Sequence, residues 1–142
     1  MTDLMDRQSR VDNAVMAVVV IGLEPLDGVL SISDFQVAVQ RLERAVRPWD
    51  TVVNLAPRTV GVVCGSLANV REVEAIAARL ADVVRAPMAV GDDVHQLGAC
   101  IGTAVIAEGE TSDDGFGRAG AAMRQMREAR RALTVPTVPT PR

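Results

Sequence analysis

The sequence predicts an α+β fold, a mainly antiparallel central sheet flanked by helices in the order β-α-β-β-α-β-β-α. Three observations carry that prediction. The run Ala14–Leu23 is continuously apolar and rich in valine, as a central strand covered on both faces requires. Two β-branched runs, Thr51–Leu55 and Thr59–Cys64, flank the short break Ala56-Pro57-Arg58, the pattern of a β-hairpin whose strands are largely buried. A second hairpin follows later, and helices that come after strands and hairpins pack as a layer on an antiparallel sheet.

Taken in order, residues 1–13 are polar and form a lead-in. The first strand follows, and Glu24-Pro25-Leu26-Asp27-Gly28 ends it with turn chemistry. Ser33 with Gln36 gives a capping-box start to a helix, whose apolar stripe is Phe35, Ala38, Val39, Leu42, Ala45 and Val46. Pro48 closes that helix, because the residue before a proline is driven out of the helical region. After the hairpin, Asn69 with Glu72 marks a second capped helix, striped by Val70, Val73, Ile76, Ala77, Leu80 and Val83. Met88–Val90 and Val94–Ala107, joined by Gly91-Asp92-Asp93, read as the second hairpin. A last helix over Asp113–Leu133 turns Phe116, Ala119, Met123, Met126 and Leu133 inward, with Arg124, Arg127, Arg130 and Arg131 on a basic outer face. The tail 134–142 repeats Val-Pro-Thr and is expected to be extended. The globular part is one domain over residues 14–133.

Composition bounds the function. With 142 residues, 49% of them hydrophobic, the chain can bury a real core and is not a disordered segment. A net charge of -3 argues against a general nucleic-acid partner, which needs a basic face. No signal peptide opens the chain, and Ala14–Leu23 is too short to span a bilayer, so a soluble cytoplasmic protein without a membrane partner is the expectation. Cys64 and Cys100 both lie in apolar runs and read as reduced core thiols. No cofactor is implied.

Several segments, in order and spacing, resemble the GGDEF domain, the family of diguanylate cyclases. V-V-V-I-G-L-E-P-L resembles its first strand, and R-L-E-R-A-V-R-P-W-D-T-V-V-N-L its R-L-x-x-x-V-R-x-x-D-x-V-A-R-L segment. C-I-G-T-A at Cys100–Ala104 is similar to the strand S-I-G-V-A, and A-G-A-A-M-R-Q-M-R at Ala119–Arg127 to the final helix. The resemblance covers about Ala14 to Arg131 and implies the nucleotide-cyclase-like sandwich.

The departures from that pattern fall on the positions that carry its chemistry. The signature tetrad and its aromatic align with Ala56-Pro57-Arg58-Thr59-Val60, and the metal aspartate of the first strand aligns with Gly22. Pro57 lacks an N–H, and Arg58 brings a positive charge where the family holds a metal ligand. The family's guanine-contacting asparagine has no counterpart, its aspartate falls near Ile32, and the lysine of its last helix is represented by Arg127. Glu24 and Asp27 are the remaining nearby acids, in a turn with a proline and a glycine that frames octahedral geometry poorly. The resemblance therefore implies a pseudoenzyme in bacterial nucleotide signalling, with no catalytic residue and no metal.

It also implies one candidate ligand. Arg47 and Asp50 match the Arg-x-x-Asp motif of the family's inhibitory cyclic di-GMP site, and Arg79 matches the helix arginine that completes it in some members. An arginine fork takes phosphate oxygens or guanine acceptors, an aspartate accepts from guanine N–H groups, and Trp49 offers a stacking face. The structural reading stands beside it: an arginine near a helix end complements the dipole, and an aspartate entering a strand caps a turn. The alternative function is a protein-interaction or homodimerisation module with no nucleotide ligand. His95 reads as an edge residue, since no cluster of metal-ligating types surrounds it. Ser31, Ser33 and Ser66 lack a nucleophile-elbow context.

Overall fold

The structure is a computed structural model that describes residues 15–26 and 31–134. Side chains at 90 and 131–134 are outside that description, as are residues 1–14, which include Ala14 of the expected strand, residues 27–30 and the tail from 135. The valine-rich run forms β1, Val15–Pro25, and lies in the middle of a four-stranded sheet. It continues through Glu24 and Pro25, which pair with Gly98 and Leu97, so Glu24 is a strand residue and not part of the expected turn. Successive side chains alternate between faces. Ala17, Val19, Ile21 and Leu23 enter one core, and Val18 and Val20 enter another on the opposite face.

Helix α1, Ile32–Ala45, starts two residues earlier than the Ser33 capping box suggests. Ser31 is the cap: its backbone is extended and its hydroxyl accepts from Asp34 N at 3.0 Å. The hairpin forms as expected, with β2 (Thr51–Ala56) and β3 (Thr59–Leu67) antiparallel around Ala56-Pro57-Arg58-Thr59. The expectation that both strands are buried fails for β2. The strand order is β2-β3-β1-β6, with β6 spanning Leu97–Ile106, so β2 is an edge strand and mostly exposed.

Helix α2, Val70–Arg85, is capped by Asn69, whose side chain accepts from Glu72 N. Its buried stripe takes in Val84 and Ala81, where the periodicity suggested Val83, while Val70 at the first position is exposed. The second hairpin is split. β4 (Met88–Val90) pairs with β5 (Asp93–His95) as a separate ribbon, and β6 leaves after Gln96 to join β1 in the main sheet.

α1 and α2 cover the larger core, and α3, Ser112–Thr134, covers the smaller one. α3 rides directly on β6: a Cβ built on Gly102 would run into the backbone of Ala119 and Met123. Ala119 and Met123 are buried as expected, but Met126 is exposed, its sulfur beside the Ile101 N–H. The basic outer face is corrected at Arg127, which turns inward over β1, whereas Arg130 stays exposed while donating to the Ala99 carbonyl. Arg124 remains exposed.

Candidate functional site

Two neighbourhoods hold the residues singled out above, one at the hairpin tip and one at the end of α1. At the tip, Pro57 and Arg58 form the turn. Proline fixes a negative φ, and Arg58 takes φ +62, the left-handed region that a type II turn requires at its third position and that glycine usually fills. The mismatch between such a turn and the strand twist is absorbed by a bulge, since the β2–β3 register shifts between Asn54 and Ala56 and leaves Leu55 extra. The Arg58 carbonyl accepts from Leu23 N at 2.7 Å, which docks the tip on the end of β1.

A cleft of about 650 Å³ lies between this tip and the start of α1, lined by Ile32, Phe35, Leu55, Ala56, Pro57 and Arg58. A second, of about 340 Å³, lies on the α3 side of the same hairpin beside Thr59, Phe116, Arg124 and Arg127. Ala56, Pro57, Arg58 and Thr59 contribute no carboxylate to either. Gly22 contributes no side chain at all, and the space in front of it is filled: a Cβ there would collide with Arg127 Nη2 and lie 2.8 Å from Met123 Sδ. Arg127 Nε stands 2.9 Å from Glu24 Oε2, an ion pair in which the N–H is not aimed along the contact. Glu24 is thus already paired with a cation.

Among the described residues, no group of three or more His, Cys, Asp or Glu gathers as a metal site. The donor set around Gly22 does not fit magnesium, which takes oxygen ligands, because the Arg127 guanidinium and the Met123 thioether face the position. Arg127 and Arg58 suit anions.

At the end of α1, Arg47 and Asp50 pair directly, and Arg79 reaches the same helix end through the Ala45 carbonyl. Arg47 Nε and Nη2 fork onto the two Asp50 oxygens at 2.9 and 2.8 Å, and Nη2 also donates to the Gly65 carbonyl at 2.8 Å. Asp50 accepts from the Arg47 backbone N–H as well, closing a turn whose own bond runs from Asp50 N to Arg47 O. The Asp50 side chain has no exposed surface, and its bond holds the Arg47 guanidinium more firmly protonated than usual. Arg79 donates to Ala45 O, satisfying a carbonyl at the C-terminus of α1. Trp49 is exposed, with the Arg47 guanidinium 5.2 Å from its ring centroid. Burial pushes the Cys64 thiol up to about 11.

Two pairs escaped sequence reasoning. Glu24–Arg127 joins residues a hundred positions apart. His95 Nδ1 lies 2.8 Å from Asp34 Oδ1, which ties the β4–β5 ribbon to the start of α1. Only the Ser31-x-x-Asp34 spacing hinted at a structural role for that aspartate; nothing local pointed to His95.

No protein-family model matches the chain, and no curated protein matches it. Solved structures do. The GGDEF domain of YfiN from Pseudomonas aeruginosa superposes with a TM-score of 0.71 at 19% identity, over 90% of this chain and 83% of that one. DgcB from Caulobacter crescentus, solved with its coiled coil and in complex with cyclic di-GMP, gives 0.65 at 13% identity, over 90% of this chain and 74% of that one. The diguanylate cyclase SiaD from Pseudomonas aeruginosa, solved with its activator SiaC, gives 0.66 at 15% identity. This chain is covered over 89% there but spans only about half, 52%, of the SiaD chain. The chain has the fold of GGDEF domains.

Proposed function

We propose that this chain is a catalytically silent regulatory domain of the GGDEF fold, acting in bacterial nucleotide signalling by binding and not by turnover. One observation carries the reading: Arg127 fills the space over Gly22 and neutralises Glu24, where the resembling family needs carboxylates. Joining two GTP molecules is a phosphoryl transfer in which divalent ions stabilise the attacking and leaving oxygens. A site that offers guanidinium groups repels those ions. The test is incubation of the chain at high concentration with GTP and magnesium or manganese, followed by chromatography. No cyclic di-GMP is expected; its appearance would overturn the proposal.

Within this reading the proposed ligand is cyclic di-GMP, at Arg47, Asp50 and Arg79. Support comes from their common place at the end of α1 and from the open face of Trp49, and DgcB shows that a protein of this fold takes that ligand. Asp50 would then act by holding Arg47 in place. Titration calorimetry with the wild type, Arg47→Ala and the milder Arg79→Ala tests it. Heat in the wild type that weakens in both variants is the expected result.

A second reading, a protein-contact module without nucleotide, is favoured by the closed state of the Arg47–Asp50 pair, whose carboxylate is fully covered. SiaD, of the same fold, is a protein with a protein activator. Absence of heat with the wild type selects this reading.

A further inference from the structure

We infer that the free edge of β2 is a self-pairing surface, through which two copies of this chain join their sheets edge to edge. The pairing needs no nucleotide, but at Trp49 the partner's Arg58 takes the open ring face that the proposed ligand would use, so the two exclude each other there.

The two edges of the sheet are treated differently. On β6, the Ala99 carbonyl is taken by Arg85 and Arg130, the Val105 carbonyl by Arg118, and the Ile101 N–H faces the Met126 sulfur at 3.3 Å. Long cationic side chains of that kind are how natural sheets close an edge against further strands. β2 has no such guard. Its sequence, Thr-Val-Val-Asn-Leu-Ala, carries neither charge nor proline.

The groups left open can be assigned from the ladder. On β6 the odd-numbered residues face outward, so Cys100, Gly102 and Ala104 bond to Gly22, Val20 and Val18. Antiparallel bonding alternates from strand to strand. It therefore turns Ala17, Val19 and Ile21 toward β3, then Gly61 and Val63 toward β2, so Val53 and Thr51 face β3. Val52 and Asn54 point their N–H and C=O groups away from the sheet. Among the described residues, no hydrogen bond reaches them.

That edge is complementary to itself. With a two-fold axis at Val53, Val52 of one copy lies opposite Asn54 of the other, and each such pair exchanges both of its bonds. The outward groups of Val52 and Asn54 are thereby satisfied in both copies. The same register sets the Pro57-Arg58 tip of one copy against Pro48-Trp49 of the other. Trp49 is 61% exposed and has Arg47 on one face. The Arg47 charge is neutralised by Asp50, so a second guanidinium on the open face gains the ring without like-charge repulsion. Leu55 and Ile32, both exposed, border the joint. An extended peptide from another protein would satisfy the backbone groups too, but it would not bring the matching tip.

The test uses the full chain. Sedimentation over a wide concentration range should show a mass rising from 15.1 kDa to twice that value. Asn54→Lys, at an exposed position, should weaken association roughly tenfold or more by placing charge in the joint. In the proposed register Val53 faces its own copy in a non-hydrogen-bonded pair, with Cα atoms about 4.5 Å apart, within disulfide range. Both native cysteines are buried, so Val53→Cys should give a covalent dimer under mild oxidation, while Thr103→Cys on β6 should not. Far-UV circular dichroism confirms that each variant is folded. A chain that stays monomeric at every concentration overturns the inference. So does a dimer that tolerates Asn54→Lys and fails to cross-link through Val53→Cys.

Discussion

Arg127 occupies the volume that a side chain at Gly22 would need, and in that place it pairs with Glu24. The two residues come from the last helix and the first strand, and each depends on the other's identity. Gly22→Asp should therefore yield a folded protein with no GTP turnover, because the new carboxylate meets Arg127 before it can meet a metal. Crowding against Met123 should cost about 1–2 kcal/mol in urea denaturation. Product formation by this single variant would contradict the account.

Arg58 is held at φ +62, a conformation that costs a side-chain-bearing residue about 1–2 kcal/mol. Arg58→Gly removes that strain but loosens the unfolded chain, which returns about 0.4–1 kcal/mol. The expected net effect is a rise in unfolding free energy of about 0–1.6 kcal/mol, read as a small upward shift of the urea midpoint. A clear fall would mean that the arginine side chain itself holds the tip.

The Arg47–Asp50 fork predicts an asymmetry between substitutions. Arg47→Ala leaves a covered carboxylate without its partner and should cost about 2–4 kcal/mol. Arg47→Lys should recover little, since an ammonium cannot span both oxygens and the Gly65 carbonyl. Denaturation midpoints of the two variants, compared at neutral pH, check this; full rescue by lysine would show that charge alone suffices.

Acid stability should report on Asp34. The bond from His95 first, with help from Ser31 and against the opposing effect of burial, holds its carboxyl below the ordinary 3.8. A carboxyl whose pKa is depressed on folding contributes stability that is present above its unfolded value and is lost as pH falls through the folded one. Between about pH 5 and pH 2, the wild type should therefore lose stability more steeply than Asp34→Asn. Parallel slopes would remove Asp34 from the acid response.

The chain alone determined the α+β class, the tight turn at Ala56-Pro57-Arg58-Thr59 and the Asn69 cap of α2, because each follows from short-range chemistry. Strand runs, turn residues and caps act within a few positions of one another, and one sequence exhibits them in full. Tertiary structure alone decided that β2 is an exposed edge, that Gln96 breaks the second hairpin, and that Arg127 lies over Gly22. Sheet order and inter-element contacts join residues distant along the chain, and no local preference encodes which strand ends up outermost or which charge meets which.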